Sequence, residues 1–175
     1  MYRRKRRWYS IGMTIWRKHS RVIAAFLALV LFAPVFAAAQ SITRGDIAIG
    51  RFWAYPAETD TAKYNAMLMQ GMPSGPTIDV FGSIVNGGNL SEAITTITSP
   101  AFKAATIINW VRGAQYIQAF PLLLAPGKPL ALGPQTQFLR LYGLGGSYKS
   151  GDRFPITLHF QHTPDATIDV IVQAK

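Results

Sequence analysis

The sequence predicts an all-β protein, a single Greek-key β-sandwich behind an N-terminal export signal, and three observations carry that prediction. Short apolar runs rich in Ile, Val, Thr, Phe and Tyr are separated by clusters of Gly, Pro, Asn and Asp, the texture of strands and turns. Near the C-terminus Ile156, Leu158 and Phe160 alternate with Thr157, His159 and Gln161, and beyond "HTPDA" Ile168, Val170 and Val172 alternate with Thr167 and Asp169. Period two with polar residues on the other face marks half-buried antiparallel strands. The chain also shows no heptad, low-complexity tract or solenoid period, so regularly spaced strands with turns between them predict a sandwich.

Each element has its own signal. "GDIAIGRFWAY" (45–55) reads as one extended strand with a bulge at Gly50. "ETDTAKYNAMLMQ" (58–70) is the only segment suited to a helix, and a short one. "DVFGSIVNGGN" (79–89) is a strand running into a Gly-Gly turn, and "EAITTITSP" (92–100) is a strand ended by Pro100. "AATIINWVRGAQYIQAF" (104–120) is a hairpin about Arg112-Gly113, since a two-residue turn closing on glycine joins antiparallel strands. "PLALGPQTQFLRLYGL" (129–144) supplies a short strand, a turn and a longer strand. The last hairpin lies in "YKSGDRFPITLHFQHTPDATIDVIV" (148–172).

The charge of the whole chain misleads until it is located. A formal +10 suggests a polyanionic partner, but residues 1–21 hold eight of the 18 basic residues and no acid. "VIAAFLALVLFAPVF" (22–36) follows without a charge, and then Ala37-Ala38-Ala39. A basic segment, a short apolar segment and a small-residue exit are the parts of a secretory signal peptide. We therefore expect residues 1–39 to be a signal peptide cut before Gln40, on the general export route, and residues 40–175 to form one domain. The competing reading is an uncleaved anchor. A spanning helix needs about 20 apolar residues, whereas this run reaches 18 only with Ala37 to Ala39 included and carries Pro34 near its end. The expected location is periplasmic or otherwise exported, with membrane contact only through a retained leader.

Past residue 39 the chain keeps ten basic and eight acidic residues, close to neutral. It lacks the basic face that neutralises several phosphates, so nucleic acid is excluded as a partner. With no cysteine it has neither disulfides nor thiolate metal ligands.

Catalytic signals are missing as well. "GLGGS" (143–147) has neither the lysine nor the βα unit of a phosphate loop, no serine sits on a strand-to-helix elbow, and the chain is read as not an enzyme. His159 and His162 in "HFQH" point to opposite faces of a strand unless the following turn bends the second round. Met67, Met69 and Met72 in "NAMLMQGMPSG" form the one cluster of soft donors. Thioethers suit Cu(I), which makes these three the candidate metal ligands and Cu(I) the candidate cofactor. Methionine also fills irregular gaps beneath loops, and both readings stand at this point.

An ordered series of segments resembles a known family: "GDIAIGRFWA", "FGSIVNGGNLSEAITTITSPAF", "LAPGKPLAL", "FLRLYGL" and "GDRFPITLHF". Together they are similar to the PCu(A)C periplasmic copper chaperones over almost all of residues 45–172. The resemblance implies a cupredoxin-like Greek-key β-sandwich, Cu(I) carriage outside the cytoplasmic membrane, and an exported protein partner in cytochrome oxidase copper-centre assembly. It also implies ligands: one His-x-Met, a Met on the return strand, and a second His-x-Met before a Gly-Leu. Counted from Ser99-Pro100, the first pair falls on Ile108 and Trp110; counted back from Gly143-Leu144, the second falls on Phe138 and Arg140. The middle Met falls within 117–119. None of these residues ligates copper. The chain is also longer than the family pattern between Ala54 and Phe81, where the three methionines lie.

Two functions follow from this departure. The protein is a copper handler whose metal site has been rebuilt from Met67, Met69 and Met72 with the aid of His159 or His162, or it is an exported interaction module with Trp110 and Phe138 as exposed aromatic anchors on the former copper face. In a third version both aromatics are plain core residues.

Overall fold

The computed structural model describes residues 41–58, 72–73 and 75–175. Over these the chain forms twelve strands and no helix. They are β1 (Ile42–Arg44), β2 (Ile47–Ile49), β3 (Phe52–Ala54), β4 (Thr77–Asn86), β5 (Glu92–Thr98), β6 (Ala104–Val111), β7 (Ala114–Gln118), β8 (Leu122–Leu124), β9 (Pro129–Leu132), β10 (Gln137–Tyr142), β11 (Arg153–Phe160) and β12 (Ala166–Val172). The leader and the short helix expected over 58–70 lie outside the described residues, Glu58 excepted.

Hydrogen bonding orders the strands β7-β6-β10-β9-β4-β3-β12-β11-β5-β8, with β1 joined to β4 through β2. The ten-residue β4 organises the sheet because it outlasts each of its neighbours. Along one edge it holds β10 (Leu139 opposite Val80) and then β9 (Leu132 opposite Gly82). Along the other it holds β3 (Trp53 opposite Phe81) and then β2 (Ile49 opposite Ile84).

The sheet curls until its inner faces meet. Val80, Ile107 and Leu139 from β4, β6 and β10 join Ile94, Ile156, Leu158 and Val170 from β5, β11 and β12 in one buried cluster. Each fully buried side chain of this size contributes about 1.5–3 kcal/mol. The period-two residues of the last hairpin supply much of this core, and the all-β sandwich read from the sequence is the fold observed.

Two local features need a physical reason. The strand expected over 45–55 is broken in two: three steps along β4, from Ile84 to Phe81, face four steps from Ile49 to Trp53. That extra residue is a bulge at Gly50. There the Gly50 N–H donates to the Ser83 carbonyl at 2.8 Å, and any side chain at residue 50 would strike the Ser83 hydroxyl. The hairpin between β6 and β7 turns with φ of 51° at Arg112 and 83° at Gly113. Two successive positive values define a type I′ turn, whose twist matches that of the paired strands.

Glu92 at the start of β5 is the one acid among the buried residues described, 6% exposed. Its carboxylate accepts the N–H groups of Ala93, Gln161, His162 and Thr163 and the Thr163 hydroxyl, at 2.7–3.2 Å. Burial pushes its carboxyl up, but the bonds from Ala93, Thr163 and His162 outweigh burial and hold it below the ordinary value. The residue pins the turn after β11.

Candidate functional site

The inner face of β4, β6 and β10 is aliphatic at Val80, Ile84, Ile107, Leu139 and Leu141; the outer face has a different composition. Side chains directly opposite one another in paired strands share a face. Phe138 stands opposite Ile108, Ile108 opposite Ile117, Arg140 opposite both Thr106 and Asp79, and Trp53 opposite Phe81. The positions that the PCu(A)C resemblance marks, counted from two different landmarks in the sequence, are therefore brought side by side.

Phe81, Ile108 and Phe138 form a second, smaller core, with Trp53, Tyr55 and Ile117 packed against it. Its rings meet edge-on or tilted: Trp53 to Phe81 at 4.5 Å, Trp53 to Tyr55 at 5.2 Å, and Phe81 to both Tyr55 and Phe138 at 5.8 Å between centroids. Such pairs add about 0.5–1.5 kcal/mol each beyond their burial.

Beside the rings lies Arg140, 3% exposed. Its Nε and one terminal nitrogen donate to the two carboxylate oxygens of Asp79 at 2.7 and 2.8 Å, and its other terminal nitrogen donates to the Gln115 amide oxygen at 3.1 Å. The guanidinium also lies 5.3 Å from the centre of the Phe138 ring. One cation thus ties β10 to β4 and β7 through planar, two-pronged bonding that lysine could not reproduce. Tyr55, Glu58, Gln115, Phe138, Arg140 and Lys175 border a pocket of about 170 Å³ on this face.

Among the described residues, the side chains on this face do not form a Cu(I) donor set. Thioether and imidazole are the soft, uncharged ligands that hold it, and Ile108, Trp110, Ile117 and Phe138 offer neither, while Arg140 places a positive charge among them. Among the described residues no group of three His, Cys, Asp or Glu side chains could hold a metal ion.

The other expected site residues are distributed as follows. Trp110, at the tip of β6, is 37% exposed, whereas Phe138 is 2% exposed. The expectation of Phe138 as an exposed anchor is therefore corrected: Phe81, Ile108 and their aromatic neighbours cover it, and it belongs to the small core. Met67 and Met69 lie outside the described residues; Met72 is half-buried. The Pro73 ring carbon stands 3.0 Å from where a side chain on Gly143 would begin, so Pro73 lies beside the end of β10.

The histidines do not converge. His159 is bonded through Nδ1 to Asp165 and through Nε2 to the Thr98 hydroxyl, both at 2.7 Å, on the exposed surface of β5 and β11. His162 lies in the turn, its Nδ1 3.4 Å from Glu92. Sequence reasoning missed Asp79, Gln115, Trp53, Tyr55 and Phe81 as members of the outer face. A signal for two of them was present, since Asp79 and Phe81 share one side of a strand at period two.

The fold is a cupredoxin-like β-sandwich of the PCuAC type. Three solved structures share the fold: the apo PCuAC domain from PmoF1 (TM-score 0.58, 17% identity, covering 78% of this chain and 100% of that one); the copper-bound PCuAC domain from PmoF2 (0.59, 16%, 78% and 99%); and the apo PmoF2 PCuAC domain (0.58, 17%, 77% and 95%). The chain belongs to the LpqE-like family, whose sequence model matches residues 47–172 and whose description names a lipoprotein. A comparison with curated protein sequences gives no match.

Proposed function

We propose that the chain is an exported, copper-chaperone-like protein that serves copper handling or oxidase copper-centre assembly by docking to another exported protein. It carries no metal at the positions where the PCu(A)C resemblance places ligands. The observation that supports this reading is the paired Arg140 guanidinium, packed with Phe138 and Ile108 in register on the outer face. Trp110, exposed at the rim of that face, is the anchor for the partner, since tryptophan and arginine dominate interface energetics. The reading is of a non-catalytic protein, delivered by residues 1–39 and active as residues 40–175.

The test is capture of exported partners by the purified protein and by its Trp110→Ala variant. Loss of a specific partner in the variant supports docking; an unchanged set of partners refutes it.

A second reading is favoured by one observation, the position of Pro73, next in sequence to Met72, beside the end of β10. In it, Cu(I) is held by Met67, Met69 and Met72. Competition against a Cu(I) chelator should then show stoichiometric binding that disappears when all three are replaced by leucine. Binding retained in the triple variant refutes the methionine site and points to the histidines.

A further inference from the structure

The two ends of the sheet are built differently. At one end β8 has three residues, set between Pro121 and Pro126, and short strands flanked by proline are how natural sheets discourage edge pairing. At the other end β7 has five residues, "AQYIQ", and no charged residue or proline occurs from Gly113 to Phe120. Among the described residues, this second edge carries none of the usual protection.

The turn sets which backbone groups the edge presents. In a type I′ hairpin the residues flanking the turn, Val111 and Ala114, exchange both hydrogen bonds, and bonded pairs then alternate along the ladder. Asn109 and Tyr116 are the next bonded pair, and Trp110 and Gln115 face each other without bonding. The Trp110 N–H points the other way, to the Thr136 carbonyl at 2.6 Å, which confirms that alternation. Gln115 and Ile117 therefore direct their N–H and C=O groups outward, where no described strand pairs with β7.

We infer that β7 pairs antiparallel with β7 of a second copy of this chain across a two-fold axis centred on Tyr116. That register sets Gln115 against Ile117 of the partner copy and the reverse, so all four outward groups of these two residues on each copy are bonded. It places the two Tyr116 rings directly opposite in the closer, non-bonded position, where aromatic pairs are favourable. Tyr116 is 56% exposed, free to meet its counterpart. No like charges confront one another, because Arg112 of each copy lies beyond the end of the paired segment. The axis stands perpendicular to the sheet, so the outer faces of the two copies become one surface with two Trp110 side chains.

Tyr116 lies on the opposite side of the hairpin from Trp110, so this inference and the docking reading fail separately. Sedimentation velocity of the exported protein is expected to show twice the monomer mass, with slow hydrogen exchange at the Gln115 and Ile117 amides. Tyr116→Lys and Tyr116→Glu should each sediment as monomers with unchanged circular dichroism and fast exchange at those two amides. An equimolar mixture of the two variants should regain the doubled mass, since opposite charges then face each other. A wild-type protein that stays monomeric at every concentration overturns the inference. So do variants that remain dimeric, or monomeric variants whose mixture fails to associate.

Discussion

The two faces of β10 are both buried, by different means. Leu139 and Leu141 on the inner face join the main aliphatic core, while Phe138 and Arg140 on the outer face join rings and an ion pair. Leu139 and Leu141 hold through packing, and near-equivalent apolar residues could replace them. The outer face depends on partners of fixed identity, because a buried guanidinium needs a carboxylate held in one place. A strand that carries both arrangements shows where the fold is generic and where it has been committed to one site.

The largest expected effect breaks the outer face at its counter-charge. Asp79→Ala removes the carboxylate that two Arg140 nitrogens engage and should cost about 3–5 kcal/mol in denaturant unfolding. The double variant Asp79→Leu with Arg140→Met should recover most of that loss, since it removes both charges together. If Asp79→Ala were nearly neutral, the distinction between the faces would not hold. Next comes the inner face, where Leu139→Ala should cost about 2–5 kcal/mol through lost burial and a residual cavity. In contrast to the Asp79 variant, no second substitution at Arg140 should rescue it.

Glu92 extends the comparison to a buried charge held by N–H groups. Glu92→Gln should lower stability by about 1–3 kcal/mol near neutral pH. Its carboxyl is held below the ordinary value in the fold, so the contribution is complete above the unfolded value and fades as pH falls through the folded one. Unfolding curves of wild type and variant should therefore converge in acid and separate on return to neutral pH. The smallest effect on stability belongs to Trp110→Ala, within about 0.5 kcal/mol as for an exposed site, although this variant is expected to lose its partner.

How much of this was legible depended on whether the signal was local. The last hairpin was readable because its inward and outward residues alternate without exception from Ile156 to Phe160. The turn at Arg112-Gly113 was readable for the same reason, since two residues specify it. The outer face was not, because "FLRLY" is buried on both sides and its neighbours come from segments as distant as Trp53 and Asp79. That distance is why Phe138 was expected at the surface and is found beneath other rings. The break at Gly50 was half legible: glycine marked the bulge, but the apolar pattern ran on through it, and only the approach of Ser83 separates the two strands.

The placement of the tryptophans has an optical consequence. Of the four in the chain, Trp8 and Trp16 lie within residues 1–39, so residues 40–175 by themselves should emit from Trp53 among its stacked rings and Trp110 at the hairpin tip. Anything that settles on the tip should shift the red-edge component of the fluorescence toward the blue and leave the ring-packed component where it was. The molecule thus carries its own reporter of occupancy and an internal reference beside it.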